Sequence, residues 1–347
     1  MTSPEFARAI ESFGEPRGYL AVASIGIPPK QTVDALTADL AAWERADRDP
    51  QGYDSVVART RSSYSALVGV PDDRVAIGSQ TSVLTSIIAA AAPTGAEIVC
   101  VDGDFSSIVF PFLQRPDVSV RMVALEALAD SLRDETWLVA FSLVQSATGA
   151  IADVSAVLEA AKLHGTYTLC DTTQAAGVLP VDASRFDATV CHAYKWLCSP
   201  RGVAFLTLSE HFASLLRPLQ AGWYAGDDVW RSCYGPEMHL AVDARRFDVS
   251  PAWQAWVGGE QSIALFAGLD IDEVWAHAAG LGDALCDELG IARQGQAIVT
   301  WPDAEGDQLQ KLTAAGIRAS GRAGRLRAAF HLWNDETDVA AVARALR

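Results

Sequence analysis

Two ionisable residues stand where the sequence predicts the edge of a sheet, and the first of them is an aspartate. Asp171 ends the run 166–170, in which β-branched and aromatic residues follow Gly165, a pattern typical of a buried strand. Open α/β sheets bind ligands at the carboxyl edge where such a strand ends. Because a buried carboxylate needs a cationic partner, Asp171 can hold a protonated pyridine nitrogen. Gln174 follows three residues later. If the pyridine ring also carries a phenolic oxygen, Gln174 can form a hydrogen bond to that oxygen.

The second ionisable residue is Lys195, which follows another strand-like run, 188–191. An amine held in a partly dry pocket has the lowered pKa that Schiff-base chemistry requires. The chain has only four lysines against 23 arginines, and this one stands among Tyr194, Trp196 and Leu197. Aspartate and lysine together predict a pyridoxal phosphate site. A lysine whose stem snorkels out of an apolar segment would show the same local pattern, so these residues alone leave both interpretations open.

The pattern Asp-x-x-Gln, followed by a lysine with an aromatic neighbour and then Pro-x-Gly, resembles the class V aminotransferase family. This family of fold-type I pyridoxal phosphate enzymes includes kynureninases, cysteine desulfurases and isopenicillin-epimerase-like proteins, and the resemblance covers most of the chain. It implies that Lys195 forms the Schiff base with pyridoxal 5'-phosphate. It also implies that Asp171 binds the pyridine nitrogen, that Gln174 lies near the phenolic oxygen, and that His192 and Tyr194 contact the cofactor phosphate.

A strand, a turn and a helix start are predicted around residue 80. The strand-like run 75–79 is followed by Gln80 and Thr81 and then by the helical run 83–92. Backbone N–H groups and hydroxyls at a helix N-terminus bind phosphate, and this turn matches the family's small-Gly-Ala-Thr turn, so Gln80 and Thr81 are predicted phosphate ligands. Ordinary capping of the helix by Ser79 or Thr81 would explain the same residues.

Two further segments resemble cofactor-contacting parts of the family. Phe105 follows the strand-like run 97–101 at the place where related enzymes stack an aromatic ring or a histidine on the pyridine. Core packing of the phenylalanine is the alternative. The run 142–149 resembles the family segment that ends in Thr-Gly, with Ser146 in place of the asparagine common among desulfurases. The resemblance implies that Ser146 contacts the cofactor.

The segment 325–334 resembles the family motif Leu-Arg-x-Ser-x-His-x-Tyr-Asn. The resemblance implies that Arg327 binds the α-carboxylate of the substrate, for which a guanidinium fork is well suited. An arginine on a strand face, paired to a surface acid, is the alternative. His331 and Asn334 of the same motif are predicted to organise the strand and the following turn.

Two loop segments resemble parts of kynureninase-like dimers that reach the neighbouring subunit's phosphate. They contain Trp223 and Ser250, and they imply a homodimer with shared active sites, whereas a packed loop is the alternative for both. The run 19–29 resembles the family's entry segment, which crosses the mouth of the active site. A plain extended segment laid over the sheet would have the same sequence.

Strand-like and helical runs alternate along the chain, which predicts an α/β fold with a mostly parallel seven-stranded sheet and helices around it. A small C-terminal α+β domain is predicted to follow. The predicted division is an N-terminal segment over the active site at 1–30, a large cofactor-binding domain at 31–250 and the small domain at 251–347. Gly258 and Gly259, with the proline-bearing loop before them, predict a hinge region.

Composition bounds the partners. The 347 residues suffice for a large core, and the formal net charge of −16 repels phosphate backbones and anionic lipid, so a nucleic-acid partner is not expected. Six cysteines without C-x-x-C spacing are predicted to be reduced thiols, mostly buried. The longest apolar stretch, around 83–92, is too short to cross a membrane, and without a signal peptide the predicted location is cytoplasmic.

Three hypotheses about the function remain open. Transamination of a small amino acid or of an amino-sugar-like amine needs Lys195 to move a proton, and this aminotransferase hypothesis is slightly favoured. Elimination or cleavage of a carbon–sulfur or carbon–carbon bond also needs a group that assists the leaving atom, for which His192, Tyr224 and His239 are candidates. A non-catalytic binding protein on the same fold is the third reading, and the intact aspartate, glutamine and lysine argue against it.

A classical cysteine desulfurase is not expected. Such an enzyme needs a nucleophilic cysteine on a loop shortly before the arginine motif, and the segment 294–327 contains no cysteine. Cys286 lies earlier, inside a helix-like run.

Overall fold

The computed structural model describes residues 3–14, 16–237 and 239–347. Positions 1, 2 and 15 of the predicted N-terminal segment and position 238 of the predicted large domain therefore lie outside the described residues. The strands are β1 (Val75–Gly78), β2 (Glu97–Val101), β3 (Ser119–Val123), β4 (Thr136–Ser142), β5 (Tyr167–Asp171), β6 (Ala188–His192), β7 (Ala204–Leu208), β8 (Ile298–Pro302), β9 (Ser320–Arg322) and β10 (Arg325–Ala329).

Helices alternate with the strands over most of the chain. They are α1 (Pro4–Glu11), α2 (Lys30–Glu44), α3 (Gly52–Leu67), α4 (Thr81–Ala91), α5 (Ser106–Leu113), α6 (Val154–His164), α7 (Glu210–Leu215), α8 (Trp253–Ala267), α9 (Ile271–Leu289), α10 (Asp307–Ala314) and α11 (Glu336–Leu346). Among the described residues, no helix is both long enough and apolar enough to span a membrane.

The first seven strands form one sheet in the order β1-β7-β6-β5-β4-β2-β3. Neighbouring strands from β3 to β6 are parallel, and β7 runs antiparallel to both β1 and β6. Alternate residues divide between two apolar clusters, with Ile98 and Cys100 in one and Val99 and Val101 in the other. Both faces of the sheet are therefore covered, which is why its inner strands read as continuous apolar runs. The prediction of a mostly parallel seven-stranded α/β sheet is confirmed.

The last three strands form a separate antiparallel sheet in the order β8-β10-β9. It corresponds to the predicted small α+β unit, while the exact domain bounds stay a prediction. The glycine pair predicted as part of a hinge lies inside α8. A Cβ on Gly258 would come within 2.7 Å of Pro200, and one on Gly259 within 3.0 Å of Ser199. These glycines let the helix lie close to the chain that follows Lys195, and the hinge region stays a prediction.

The N-terminal segment links the two sheets. Leu20 donates its N–H to the backbone oxygen of Arg318 at 2.8 Å, and its own oxygen accepts from the N–H of Ala329 at 2.9 Å. Farther along, Gly26 donates its N–H to the backbone oxygen of Tyr194 at 2.8 Å. The segment therefore runs from the edge of the small sheet to the turn that carries Lys195.

The cysteines behave largely as predicted. All six are free thiols, and five of them are buried, whereas Cys233 is exposed. Cys286 lies within α9, as the sequence predicted.

Candidate active site

Asp171 is the last residue of β5 and is buried in the middle of the sheet. It lies opposite Ser142 of β4 and Val190 of β6. Its carboxylate accepts a hydrogen bond of 2.8 Å from the backbone N–H of Thr173. Burial raises the pKa of Asp171 to about 6, because the charged form loses hydration, although bonds to Thr173 and the charge of Lys195 oppose that rise. The carboxylate therefore lies in a setting that favours a cationic partner.

Lys195 lies in a turn after β6, and its neighbour Trp196 anchors that turn on two sides. The indole N–H of Trp196 donates to the amide oxygen of Gln174 at 2.8 Å. The backbone oxygen of Trp196 accepts a hydrogen bond of 2.8 Å from Nε2 of His331, which must carry the proton because a carbonyl only accepts. The backbone on which the lysine stands is thus held by both the large sheet and the C-terminal segment.

Lys195 is buried, with 4% of the residue exposed. Charged groups lie within electrostatic range of its amine. Burial lowers its pKa to about 8. The negative charge of Asp171 opposes that shift, whereas the guanidinium groups of Arg327 and Arg322 add to it. A substantial fraction of the amine is therefore neutral near pH 8, as both Schiff-base formation and proton abstraction require.

Phe105 faces the lysine rather than the core. Its ring centroid lies 5.2 Å from Nζ of Lys195, and the residue is 41% exposed, so the core-packing alternative does not describe it. Asp104 fixes the preceding turn, because its carboxylate accepts from the N–H of Ser142 at 2.8 Å and from the Ser142 hydroxyl at 2.6 Å. The sequence pattern did not single out Asp104, although an aspartate directly before a predicted stacking residue is typical of a side chain that fixes a turn by hydrogen bonds.

Arg327 lies on β10 and is 1% exposed. Its guanidinium donates to the hydroxyls of Ser24 at 2.8 Å and Ser320 at 3.1 Å, and also to the backbone oxygen of Ser146. Burial lowers the pKa of Arg327 to about 10, and the charge of Arg322 contributes. Among the residues that the structure describes, Arg327 has hydroxyl and carbonyl partners but no carboxylate partner, so the surface-acid alternative fails.

Gln174 connects the lysine turn to the arginine. Its amide nitrogen donates to the backbone oxygen of Ala23 and to the hydroxyl of Ser146, both at 3.0 Å. The Ser146 hydroxyl also accepts from Arg327 at 3.3 Å. Because both amide hydrogens and the amide oxygen of Gln174 have protein partners here, its predicted bond to a phenolic oxygen stays a prediction.

His192 and Tyr194 flank the site next to the lysine. Their rings meet edge to face with centroids 4.4 Å apart, and the Tyr194 ring lies 5.7 Å from Nζ of Lys195. Nε2 of His192 is buried without a hydrogen-bond partner, and burial lowers its pKa to about 4, with Arg201 and Lys195 adding to the shift. Arg201, whose guanidinium carbon lies 4.4 Å from the Tyr194 ring centroid, was missed, although it is the middle residue of the Pro-x-Gly motif.

Four predicted site residues are not joined to this cluster by any hydrogen bond or ring contact in the described part of the chain. Gln80 is the residue before α4 and makes no side-chain cap, and buried Thr81 is the first residue of that helix. Trp223 packs against Tyr224 and Trp230. Ser250 is exposed and follows a residue that bonds to the end of β1. The cofactor and cross-subunit roles of these four residues stay predictions.

His331 and Asn334 have the organising role predicted for them. The backbone N–H of His331 donates to Oδ1 of Asn334 at 2.9 Å. The Asn334 amide donates to the backbone oxygen of Tyr19 at 3.2 Å and to Asp338 at 2.9 Å. The turn after β10 is thereby tied to both the N-terminal segment and α11.

The cluster fits pyridoxal phosphate. Lys195 is a buried amine that none of the described hydrogen bonds engages, Asp171 is a buried carboxylate suited to a protonated ring nitrogen, and Phe105 offers a ring face beside the amine. The unpartnered Nε2 of His192 offers a further polar contact. A buried lysine and a buried aspartate at the carboxyl edge of a mostly parallel seven-stranded sheet are the arrangement of the fold-type I class of pyridoxal phosphate proteins.

Comparison with known proteins identifies the family within this class. The family model described as Aminotransferase class-V matches residues 78–320, more than half of the chain. The chain belongs to the class V aminotransferase family.

Individual relatives are distant. The uncharacterized aminotransferase YcbU of Bacillus subtilis is 25% identical over 229 residues, which cover 62% of this chain and 60% of that protein. A kynureninase of Deinococcus radiodurans is 26% identical over 255 residues, covering 70% of this chain and 61% of that protein. The chain thus spans about three fifths of the length of both relatives.

The fold has a close structural counterpart. The cystine C-S lyase C-DES, in complex with its product cysteine persulfide, superposes with a TM-score of 0.85 over 95% of this chain and 97% of that one. Its sequence identity is 21%, so this likeness establishes the fold-type I architecture and not the reaction.

Proposed function

We propose that this protein is an aminotransferase that acts on an α-amino acid through a Schiff base at Lys195. The observation that carries the proposal is the buried Lys195 amine, whose pKa is lowered to about 8, which feels the charge of Asp171 and lies 5.2 Å from the ring centroid of Phe105. Such an amine can form the Schiff base and can also move a proton at the substrate carbon. Homology to YcbU, described as an aminotransferase, supports the same reaction.

Each remaining residue has a proposed role that follows from its chemistry. Pyridoxal phosphate, when bound, supplies an electron sink for the bond broken at the substrate Cα. The neutral amine of Lys195 would take and return the proton that transamination moves. With the cofactor bound, Asp171 would hold its protonated ring nitrogen and Phe105 would offer a ring face for stacking. Arg327 binds the α-carboxylate, which would give its buried guanidinium the anionic partner that the described residues lack.

The residues predicted to assist a leaving group support elimination less strongly than Lys195 supports transamination. His192 has a pKa lowered to about 4 and is neutral at physiological pH, so it is a poor proton donor. The hydroxyl of Tyr224 donates to Asp54 at 3.2 Å, and burial raises its pKa. His239 is exposed on the loop after position 238. Transamination needs none of these groups, because Lys195 alone can transfer the proton.

The alternative is a lyase that cleaves a carbon–carbon or carbon–sulfur bond. The kynureninase relative favours it, since it matches 70% of this chain. A non-catalytic binding protein is disfavoured, because Asp171 and Lys195 are both present with shifted pKa values. Gln80, Thr81, His192 and Tyr194 are proposed phosphate contacts. A homodimer in the cytoplasm, with Trp223 and Ser250 near the neighbouring active site, also stays a proposal.

The first test is a near-visible absorption spectrum of the protein with added pyridoxal phosphate, followed by borohydride reduction and peptide mapping. The expected adduct lies on Lys195. It is expected to disappear in Lys195→Met and to persist in Lys162→Met, which changes an exposed lysine of α6. No absorption band in the wild type, or an adduct only on other lysines, would refute the proposed enzyme.

The second test separates the two reactions. The loaded protein is mixed with single amino acids without an oxo acid, and pyridoxamine phosphate and the oxo acid product are quantified. Stoichiometric conversion of the cofactor to pyridoxamine phosphate is expected for an aminotransferase. Continuous release of ammonia, sulfide or a cleaved side chain, with the cofactor unchanged, would establish the lyase instead.

A further inference from the structure

Arg322 is an exposed arginine at the end of β9 that the sequence analysis did not assign. The register of the small sheet places Arg322 opposite Arg325 and places Ser320 opposite Arg327. Directly paired residues of antiparallel strands point to the same face, and so do residues two apart on one strand. Arg322 and Arg327 therefore stand on the same face of this sheet.

That face is turned toward the lysine. Arg327 reaches Ser24 and Ser146 from it. The positive charge of Arg322 contributes to lowering the pKa of both Lys195 and Arg327, which places its guanidinium within electrostatic range of both groups. The two arginines therefore flank the region in front of the amine.

A tight turn fixes the backbone of Arg322. Ala323 and Gly324 both have positive φ, 49° and 71°, and they join β9 to β10. Positive φ at both central residues is typical of the two-residue hairpin turns that match strand twist. Because Arg322 is paired directly across this turn, its position relative to Arg327 is set by the sheet register.

The guanidinium of Arg322 is available for a ligand. Within the described residues it donates a hydrogen bond to the adjacent backbone oxygen of Gly321, at 2.8 Å. Asp303 and Glu305 line a surface cavity beside it, but neither forms a salt bridge with it within the described residues. The Asp303 carboxylate instead accepts the N–H groups of Gln308 and Leu309.

We propose that Arg322 binds the side-chain carboxylate of the substrate while Arg327 binds its α-carboxylate, so that the enzyme acts on a dicarboxylic amino acid. Arg322 and Arg327 are diagonal neighbours on adjacent strands. Such neighbours are separated by about 7–8 Å, and the long arginine side chains allow aspartate or glutamate to span such a gap. A local pair of arginines also offsets the repulsion that a chain of net charge −16 exerts on an acidic ligand. This inference rests on the proposed function and specifies its substrate class.

The test is a spectral titration of the cofactor-loaded protein with L-aspartate, L-glutamate and their neutral amides L-asparagine and L-glutamine. The wild type is expected to bind each acid at least about 10-fold more tightly than its amide, as a charge-assisted bond predicts. Arg322→Gln is expected to weaken binding of the acids by about 10-fold to 100-fold and to leave binding of the amides unchanged. Arg322→Lys keeps the charge and is expected to retain part of the preference.

Arg344→Gln is the charge-matched control, because Arg344 is exposed on α11. It is expected to keep the wild-type preference. Equal binding of acids and amides by the wild type, or an unchanged preference in Arg322→Gln, would overturn the inference. If the protein forms the Lys195 adduct and converts neutral amino acids equally well, the proposed function stands and only the dicarboxylic substrate fails. If no Lys195 adduct forms, both fail.

Discussion

Burial of the charged Lys195 amine lowers the free energy of unfolding, and the proposed chemistry of the site requires that burial. The pKa of the amine falls from 10.5 to about 8 on burial, which corresponds to about 3 kcal/mol of destabilisation below pH 8, where the folded and unfolded states are both protonated. Lys195→Met is therefore expected to raise the free energy of unfolding of the cofactor-free protein by up to about 3 kcal/mol at pH 7. Loss of the positive neighbour of Asp171 reduces this gain. Urea denaturation measures it.

The pH dependence of that gain has a definite sign. Below pH 8 the folded and unfolded states both carry the Lys195 proton, so the wild type bears the whole cost. Between about pH 8 and 10.5 the unfolded state keeps the proton that the folded state has lost, so wild-type stability rises relative to the variant. The advantage of Lys195→Met is expected to shrink across this range. An equal gain in the control Lys162→Met would contradict the explanation.

At the scale of elements, the N-terminal segment can contact the lysine turn only because Gly26 lacks a side chain. A Cβ on Gly26 would lie 2.1 Å from the backbone oxygen of Lys195 and 2.8 Å from Cα of Cys198. Gly26→Ala is expected to destabilise the protein by about 1–3 kcal/mol through this overlap. It is also expected to weaken pyridoxal phosphate binding, because the Lys195 turn must shift.

Gly14→Ala provides the matched comparison, since a Cβ there has no atom within 4 Å. Its unfolding free energy is expected to stay within about 0.5 kcal/mol of the wild type. Urea denaturation and a cofactor titration of both variants test the contact. Wild-type stability and cofactor affinity in Gly26→Ala would show that the segment does not press on the lysine turn.

A buried ion pair joins α3 to the start of the sheet. Arg61 binds Asp248 at 2.6 Å and also donates to the backbone oxygen of Val75, while Asp248 accepts the N–H of Ile77 at 2.8 Å. Asp248→Ala leaves the guanidinium buried without its partner and is expected to lower the free energy of unfolding by about 3–5 kcal/mol.

The double substitution Arg61→Met with Asp248→Leu removes both charges and is expected to lose much less stability than Asp248→Ala. Chemical denaturation of both variants measures the difference. If Asp248→Ala and the double variant were equally destabilised, packing rather than charge would account for this contact.

At the scale of the whole molecule, the proposed dimer gives a test of whether Trp223 contributes to the neighbouring subunit's active site. Within the chain Trp223 packs with Tyr224 and Trp230. If Trp223 serves the neighbouring active site, each site takes Lys195 from one subunit and Trp223 from the other. Trp223→Ala and Lys195→Met then remove residues that different subunits supply to the same site. Refolding a mixture of the two variants is expected to restore activity that neither has alone, because a hybrid dimer contains one intact site.

The complementation test assumes a dimer, so the molecular mass in solution must be measured together with the activity. Light scattering is expected to give twice the chain mass of 37.0 kDa. A dimer without complementation would place Trp223 in its own subunit's packing. A monomer with full activity would remove the shared-site proposal altogether.

The sequence by itself determined the alternation of strands and helices, the end of one strand at Asp171 and the place of Lys195 after another. Apolar runs bounded by glycine and polar residues are local signals, and they placed Asp171 at the end of β5 and Lys195 after β6. The motif near the C-terminus likewise identified Arg327 before its contacts were known. These features depend on residues near each other in the chain, which is why pattern and motif sufficed.

Only the tertiary structure decided which distant residues share the site. Asp104 ties Phe105 to β4 through Ser142, and Gly258 and Gly259 lie inside a helix because close packing against the chain after Lys195 needs them. The pairing of Arg322 with Arg325 across a hairpin puts Arg322 on the face of the small sheet that also carries Arg327. Strand register and side-chain packing arise from contacts between separated segments, and no local pattern of residues specifies them.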